Sequence, residues 1–316
     1  MDNVLVTGGA GFIGSNLVKR LLELGKSVVV VDNLSSGKIE NIGPFIEKGA
    51  LFYEHDVTDE EMLKRIFLLH KPKIVFHLAA QASVSKSVRE PDFDAKVNIF
   101  GSLNLLKLSV EYGVEKFIFS STGGAIYGDD VETPTPETTC PSPISPYGIA
   151  KLSTEKYVGF FGKEKGLRYT CLRYGNVYGP RQDPYGEAGV VAIFTERMLK
   201  GEDVTINGDG EYIRDYVYVE DVVEANISSM ERGDGEVINI GTGIGTSVNE
   251  LFGILRDITG YEKDPIYGPP RPGDLRRSVL DWRKAKEVLN WEPKVSLREG
   301  LERTVEWFRR RGDQSS

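Results

Sequence analysis

Tyr147 and Lys151, four residues apart in SPYGIAKLSTEKY, are the first candidates for chemistry in this chain. At helical spacing the two share a face. A lysine ammonium beside a phenol favours the phenolate, which brings a tyrosine from its free pKa of about 10 toward use as a base near neutrality. Such pairs also arise by accident on helices, so this one takes its meaning from its surroundings. Upstream, SSTGGAIYG (120–128) sets the hydroxyls of Ser121 and Thr122 ahead of a Gly-Gly, at the end of VEKFIFS, a run that reads as a buried strand. Either a hydroxyl is delivered to the tyrosine or the pair caps the strand end.

A second cluster lies near the N-terminus. VTGGAGFIG places Gly8, Gly11 and Gly14 at G-x-x-G-x-x-G spacing. Without side chains there, the backbone turns sharply and approaches a pyrophosphate at a helix N-terminus, where N–H groups and the dipole favour anions. Glycine turns also serve packing, and the pattern gains weight from Asp32. That acid closes the run SVVVVD, near the spacing at which a carboxylate accepts both ribose hydroxyls. It repels a 2′-phosphate, and no arginine follows in DNLSSGK, so NAD is favoured over NADP. The plain alternative for Asp32 is a solvated strand-end acid. Asp56 and Val57 end a third run and flank an adenine, unless Asp56 is the N-cap of TDEEMLKRIF.

These residues need elements to hold them. NVLVT (3–7), SVVVVD (27–32), ALFYEHD (50–56), KIVFHLA (73–79) and KFIFSS (116–121) read as buried parallel strands. Between them, FIGSNLVKRLLELG and VNIFGSLNLLKLSVEYG carry apolar residues at helical spacing and stop at Gly25 and Gly113. Such alternation implies a Rossmann-type α/β fold, a doubly wound parallel sheet. After about residue 175, Pro and Gly become frequent, which fits a smaller α/β C-terminal region supplying loops to a site. The expected division is 1–175 for the cofactor, with a returning strand in 234–243, and 176–316 mainly for the substrate. The polar tail RRRGDQSS is expected to fray.

Bulk properties narrow the class. At 316 residues the chain buries a substantial core in one large or two smaller domains. A net charge of −8 argues against general affinity for nucleic acid or anionic membranes, though local arginines still admit anionic small molecules. Cys140 and Cys171 are too few for a disulfide framework and have no metal-ligand spacing, so no metal is expected. No basic leader precedes the first strand and no window spans a bilayer, so a cytoplasmic protein is expected.

Together, the glycine turn, the strand-end acid, the hydroxyl-rich strand end and Y-x-x-x-K resemble the extended short-chain dehydrogenase/reductase family. DNLSSG, HLAAQASV, SPYGIAK, NVYGPRQDP, GDGEYIRDYVYVEDVVEA and RPGDLRRS are similar to the UDP-glucose 4-epimerases and their nucleotide-sugar relatives, in the same order, over residues 2–308. The resemblance implies NAD as cofactor, a UDP-sugar as substrate and 4-epimerisation through a transient 4-keto sugar. It implies Tyr147 as base, with Lys151 holding the nicotinamide ribose. The bridging hydroxyl usually lies four residues before the motif tyrosine, here Tyr127. That position is Gly123 in this chain, so Thr122 becomes the first candidate and Ser121 the second. The cofactor set implied is Gly8, Gly11, Phe12, Ile13, Gly14, Asp32, Asn33, Ser35, Asp56, Val57, Leu78, Ala79, Ala80, Asn98, Tyr147 and Lys151.

For the substrate, the resemblance implies Arg214 and Arg271 on the diphosphate, although Arg214 has an ordinary alternative in a surface pair with Asp215. Asn176 meets the sugar-diphosphate, Asp274 the uridine ribose, and Val190 and Val191 the uracil through backbone groups. Ser278, four residues after Asp274, stands where a bulky residue restricts the pocket to glucose and galactose, and its small size implies room for an N-acetyl group. Related dehydratases carry an Asp-Glu pair, and decarboxylases a Glu, where this chain has Gly123, Gly124 and Ala125. The competing readings are a UDP-glucuronate 4-epimerase, a net oxidoreductase or decarboxylase of the same fold, and a non-catalytic NAD-binding regulator. The last is disfavoured because the Tyr/Lys pair is kept. A homodimer through helices near 95–112 and 146–165 is also implied.

Overall fold

The computed structural model describes residues 3–185, 189–270 and 274–314. The N-terminal part alternates β1 (Asn3–Thr7), α1 (Phe12–Glu23), β2 (Ser27–Asp32), α2 (Ile39–Ile46), β3 (Leu51–Glu54), α3 (Glu60–His70) and β4 (Ile74–His77). Three helices follow, α4 (Val84–Arg89), α5 (Pro91–Ala95) and α6 (Gly101–Glu111), the last two joined by a π-helical turn at Lys96–Phe100. Then come β5 (Lys116–Thr122), α7 (Pro146–Lys165) and β6 (Tyr169–Tyr174). The remainder comprises β7 (Asn176–Tyr178), α8 (Val190–Leu199), β8 (Thr205–Asn207), β9 (Ile213–Tyr218), α9 (Val219–Ser228) and β10 (Glu236–Ile240). It closes with β11 (Gly245–Ser247), α10 (Val248–Thr259), β12 (Ile266–Gly268), β13 (Arg277–Ser278), α11 (Arg283–Leu289) and α12 (Leu297–Gln314).

β10-β6-β5-β4-β1-β2-β3 form one parallel sheet of seven strands. This is the Rossmann-type doubly wound order, and its direction reverses between β1 and β4, where ligands enter at the strands' carboxyl ends. The sheet is apolar on both faces. Val4, Val6, Val28, Val30, Phe76 and Ile118 pack on one side against Leu17 of α1 and Ala225 of α9. Leu5, Val29, Val31, Val75, Phe117 and Phe119 pack on the other against Phe67 of α3, Leu105 of α6 and Val158 of α7. Removing each such side chain from water contributes about 1.5–3 kcal/mol, before the entropy of ordering the chain is set against it. The returning strand β10 joins this sheet beside β6, although 61 residues of chain after Tyr174 precede it, in keeping with its apolar Val237, Ile238 and Ile240.

A small sheet, β11-β9-β13 with β7 also on β9, lies in the C-terminal part over a third core of Tyr178, Phe194, Leu251 and Leu301. Three expectations change. The run VNIFGSLNLLKLSVEYG is not one regular helix, because it opens with the π turn that contains buried Asn98. Helix α3 takes Asp59 as its N-cap, whose carboxylate accepts from the Met62 N–H (3.1 Å); Asp56 instead caps the preceding turn through Thr58 N and Oγ1 (2.8 and 2.7 Å). The polar tail continues α12 as far as Gln314.

Candidate active site

Glycine geometry builds one wall of the cleft. Gly8 has φ +73°, and a Cβ there would stand 2.6 Å from the Ala79 nitrogen. A Cβ on Gly14 would run into the Gly8 carbonyl and come within 2.8 Å of Gly9 Cα. Gly11 is the N-cap of α1 and brings no side-chain bond to the first-turn N–H groups. A backbone this close to β4, opening into an uncapped helix start, fits a bound pyrophosphate. Phe12 and Ile13 form the first turn of that helix. Asp32 is buried at the end of β2; its carboxylate accepts from Ala10 N and Leu34 N (both 2.9 Å), and burial pushes its pKa up against those bonds. It is not the solvated acid of the plain alternative. Asn33 donates to Asp56 (2.6 Å) and fixes Ser35 N through its own carbonyl oxygen (3.0 Å). Val57 is buried, and a Cβ on Gly101 would stand 2.7 Å from it. Leu78, Ala79 and Ala80 leave β4, and Leu78 N and Ala79 N are held by Thr7 (3.1 and 3.3 Å). Asn98 is committed to the scaffold: its amide bonds Gln81 N and O and the Asp94 carboxylate (3.0, 2.9 and 3.0 Å).

At the mouth of β5 the two hydroxyls part company. Strand alternation sends Ser121 to the same face as Phe117 and Phe119, and its hydroxyl donates to Glu155 of α7 (2.6 Å). Glu155 is bound bidentately by Arg173 (2.8 and 2.6 Å), whose guanidinium also donates to Tyr127 (2.8 Å). Ser121 therefore belongs to a buried hydrogen-bond network with Glu155 and Arg173. Thr122, one residue further, acts on the phenol of Tyr147, its hydroxyl favouring the ionised form. The two glycines meet different surroundings: a Cβ on Gly123 would stand 2.4 Å from Leu280 Cδ1, whereas one on Gly124 would make only ordinary contacts. Gly123 stays in register, its N–H on Tyr174 O (2.8 Å), and a Cβ at Gly124 would lie 3.6 Å from Asn176 Oδ1 and 3.9 Å from Thr122 Oγ1.

Tyr147 and Lys151 sit in the first turns of α7, whose N-cap Ser145 accepts from Gly148 N, with Pro146 at N1. Ser87 of α4 accepts from the Tyr147 N–H (3.1 Å). The electrostatics depart from the simple expectation. Tyr147 is pushed up to about 12, first by burial and then by the Asp94 charge, against the Thr122 hydroxyl. Lys151 is pushed down to about 8 by burial, opposed by Asp94 and Glu155. Its ammonium donates to Ser120 O (2.8 Å) and lies 5.9 Å from the Tyr147 ring centre, so it is aimed at the strand end and not at the phenol. Asp94 went unnoticed in the sequence because PDFDAK reads as an ordinary helix start.

Across the cleft, Asn176 begins β7 and is paired with Tyr216 of β9, two residues beyond Arg214. Arg214 does not pair with Asp215. Asp215 is buried and accepts from Thr242, Gly243 and Leu280, while Arg214 donates to Asp274 (2.9 Å). The period of two puts neighbours on opposite faces. Ser278 is buried and is the register partner of Arg214 on β13. Val190 and Val191 open α8; Val191 buries its side chain in the third core, which leaves backbone groups for any ligand. Arg271 lies outside the described residues. Tyr216 was missed: its buried hydroxyl has no partner, burial raises its pKa, and Arg214 and Asp274 act on it. The alternation in IRDYVY, which puts Tyr216 on the Arg214 face, was the available signal. No group of three or more metal-ligating side chains occurs among the described residues.

The chain is similar to known proteins along nearly its whole length. A UDP-glucose 4-epimerase of Thermotoga maritima, solved with UDP-glucose, is 69% identical over 98% of this chain and 99% of its own, with a TM-score of 0.96. A UDP-glucose 4-epimerase of Thermus thermophilus, solved with NAD, is 48% identical over 97% of this chain and 99% of its own (TM-score 0.91). A UDP-glucose 4-epimerase of Mycolicibacterium smegmatis is 46% identical over 96% of this chain and 98% of its length. Residues 4–241 match the profile of the NAD dependent epimerase/dehydratase family. A glycine turn shaped for a dinucleotide, a Tyr–Thr pair at its mouth and these likenesses along nearly the whole chain lead to one conclusion: this protein belongs to the NAD-dependent epimerase/dehydratase family.

Proposed function

We propose that the protein interconverts UDP-glucose and UDP-galactose by NAD-dependent 4-epimerisation. The observation that carries this reading is Tyr147 with the Thr122 hydroxyl acting on its phenol, beside buried Lys151, at the end of the glycine-turn cleft. From there, Gly124, Asn176, Tyr216 and Arg214 form a continuous row toward Asp274. The relatives' names, and the UDP-glucose and NAD bound in two of them, support it.

Bound NAD supplies a reversible hydride acceptor for sugar C4. Tyr147 takes the 4-OH proton and later returns it, with Thr122 bridging the sugar hydroxyl to the phenol. Lys151 orients the cofactor's ribose and holds positive charge near Tyr147. Arg214 exchanges its pairing with Asp274 for the substrate diphosphate, a planar bidentate contact. That anchor lets the keto sugar turn in the space beside Gly124. The turn after Thr122 carries Gly123, Gly124 and Ala125, which have no proton to give or take, so elimination is not served. In this reading residues 1–175 with β10 hold the cofactor, and 176–316 hold most of the nucleotide sugar.

We place the enzyme in the cytoplasm as a homodimer. No helix among the described residues is long and apolar enough to cross a membrane. Exposed Phe100 beside α6, and Ile149, Tyr157 and Phe160 on α7, support a helical interface between two copies. Sedimentation at monomer mass would remove the dimer. The functional test is incubation of the purified protein with UDP-galactose, without added NAD, following UDP-glucose. Conversion to an equilibrium mixture supports the epimerase and a cofactor carried through purification. No conversion after NAD is supplied refutes it.

A further inference from the structure

Two buried charges near the reacting groups have no ionic partner in direct contact. Lys151 is 3% exposed, and its ammonium has one hydrogen bond, to the neutral carbonyl of Ser120. Asp94 is 1% exposed, and its Oδ1 accepts only from the neutral amides of Gln81 (2.9 Å) and Asn98 (3.0 Å). Its Oδ2 is buried with no partner at all. The other acid near Lys151, Glu155, is already neutralised by the bidentate Arg173 and by Ser121. A lone charge taken out of water costs several kcal/mol, so each of these groups gains from a counter-charge; burial raises the proton affinity of Asp94, and the Lys151 charge opposes that rise. The helix carrying Asp94, α5, packs directly on α7, which carries Tyr147 and Lys151.

We propose that Asp94 is the counter-ion of Lys151 and sets the pH window in which the Tyr147–Lys151 pair holds its working charges. It is a positioning residue that acts through Lys151 and Tyr147, and the proposal rests on the epimerase reading of that pair. The charged and titratable groups around Lys151 are Asp94 from α5, Glu155 and Tyr147 from α7, and His77 from β4. His77 is held neutral, pushed down to about 3 by burial and then by the Lys151 charge, and it bonds Thr7 and Ser102. Glu155 is compensated. Of the two anions that act on the lysine, Asp94 is therefore the one without a cation of its own in direct contact. It raises the lysine's proton affinity and also that of the phenol. Gln81 and Asn98 fix its position, and the π turn at Lys96–Phe100 brings the Asn98 amide onto it. π-Helical turns recur at functional sites for this kind of local re-aiming.

The test uses NAD-loaded protein labelled at lysine Cε with ¹³C, the Lys151 signal being assigned by its absence from Lys151→Arg. Asp94→Asn keeps the acceptor for Gln81 and Asn98 and removes the charge. In that variant the Lys151 midpoint should fall by about one to three pH units, the range for losing a neighbouring opposite charge. Both limbs of the kcat–pH profile for UDP-galactose should move the same way, since Tyr147 also loses a like charge. Asp94→Glu should restore them. Asp94→Ser, smaller and still polar, is the second charge-removing variant should the asparagine protein not fold. An unmoved Lys151 midpoint in a folded neutral variant, with only the plateau of kcat reduced, overturns the proposal and leaves Asp94 a packing group. The resonance reads the lysine whether or not any sugar is turned over. A wild type inactive on UDP-galactose would therefore sink the epimerase reading separately.

Discussion

Replacing Thr122 by valine removes one hydroxyl and keeps its shape and β-branching. The structure makes the cost calculable. The Thr122 hydroxyl favours the ionised form of Tyr147, against burial and the Asp94 carboxylate. A hydrogen bond to a charged group contributes about 1.5–3 kcal/mol. At about 1.4 kcal/mol per pKa unit, that is a rise of about one to two units in the Tyr147 pKa. The sign follows directly: a higher pKa leaves less phenolate at a given pH, and with Tyr147 already held near 12 the fall in kcat extends over the whole range below it. At neutral pH kcat for UDP-galactose should fall by about 10- to 150-fold. Ser121→Ala is the contrast. It strips a donor from a buried carboxylate and should cost about 1–3 kcal/mol of stability, read as a lower Tm, with kcat little changed. Both proteins are assayed for UDP-glucose formation across pH 5 to 10, with thermal melts on the same preparations. The reasoning is refuted if Ser121→Ala loses more activity than Thr122→Val, or if the valine enzyme keeps the wild-type kcat across that range.

Three further outcomes are expected. Gly14→Ala drives a methyl into the Gly8 carbonyl, so the purified protein should carry little or no NAD by absorbance after denaturation; normal loading would contradict the pyrophosphate site. His77 is neutral in the fold, held near 3, and has an ordinary value of about 6.5 when unfolded. Its contribution is therefore complete above pH 6.5 and lost as the pH falls toward 3, at up to about 1.4 kcal/mol per pH unit. His77→Asn should flatten the acid decline of Tm, and an unchanged slope would show that other groups carry it. Ser278→Tyr fills the position beside Arg214 and should abolish turnover of UDP-N-acetylglucosamine while keeping that of UDP-glucose. If the wild type never accepts the acetylated sugar, the small-residue argument fails.

Much of this was readable from order and spacing alone. The alternation of β-branched runs with amphipathic helices specified the parallel sheet, because its strands bury both faces and so read as unbroken apolar stretches. Gly8, Gly11, Gly14 and Asp32 were legible because the demand on them is local: a turn that a Cβ would block and an acid at a strand end. Tyr147 and Lys151 were legible for the same reason, as one turn of one helix. Tertiary structure decided what local spacing does not encode. Ser121 and Thr122 are adjacent hydroxyls in sequence, and only strand alternation against α7 sends one to Glu155 and leaves the other for Tyr147. Arg214 neighbours Asp215 in the chain, yet it pairs with Asp274, 60 residues on, because the pleat turns Asp215 inward. The pair's electrostatics are likewise a property of the packed protein. Burial pushes Tyr147 up and Lys151 down, and the anion that acts on both, Asp94, sits on a different helix, more than 50 residues upstream of either. Desolvation and long-range charge depend on what surrounds a group in space, and that is settled only when the chain has folded.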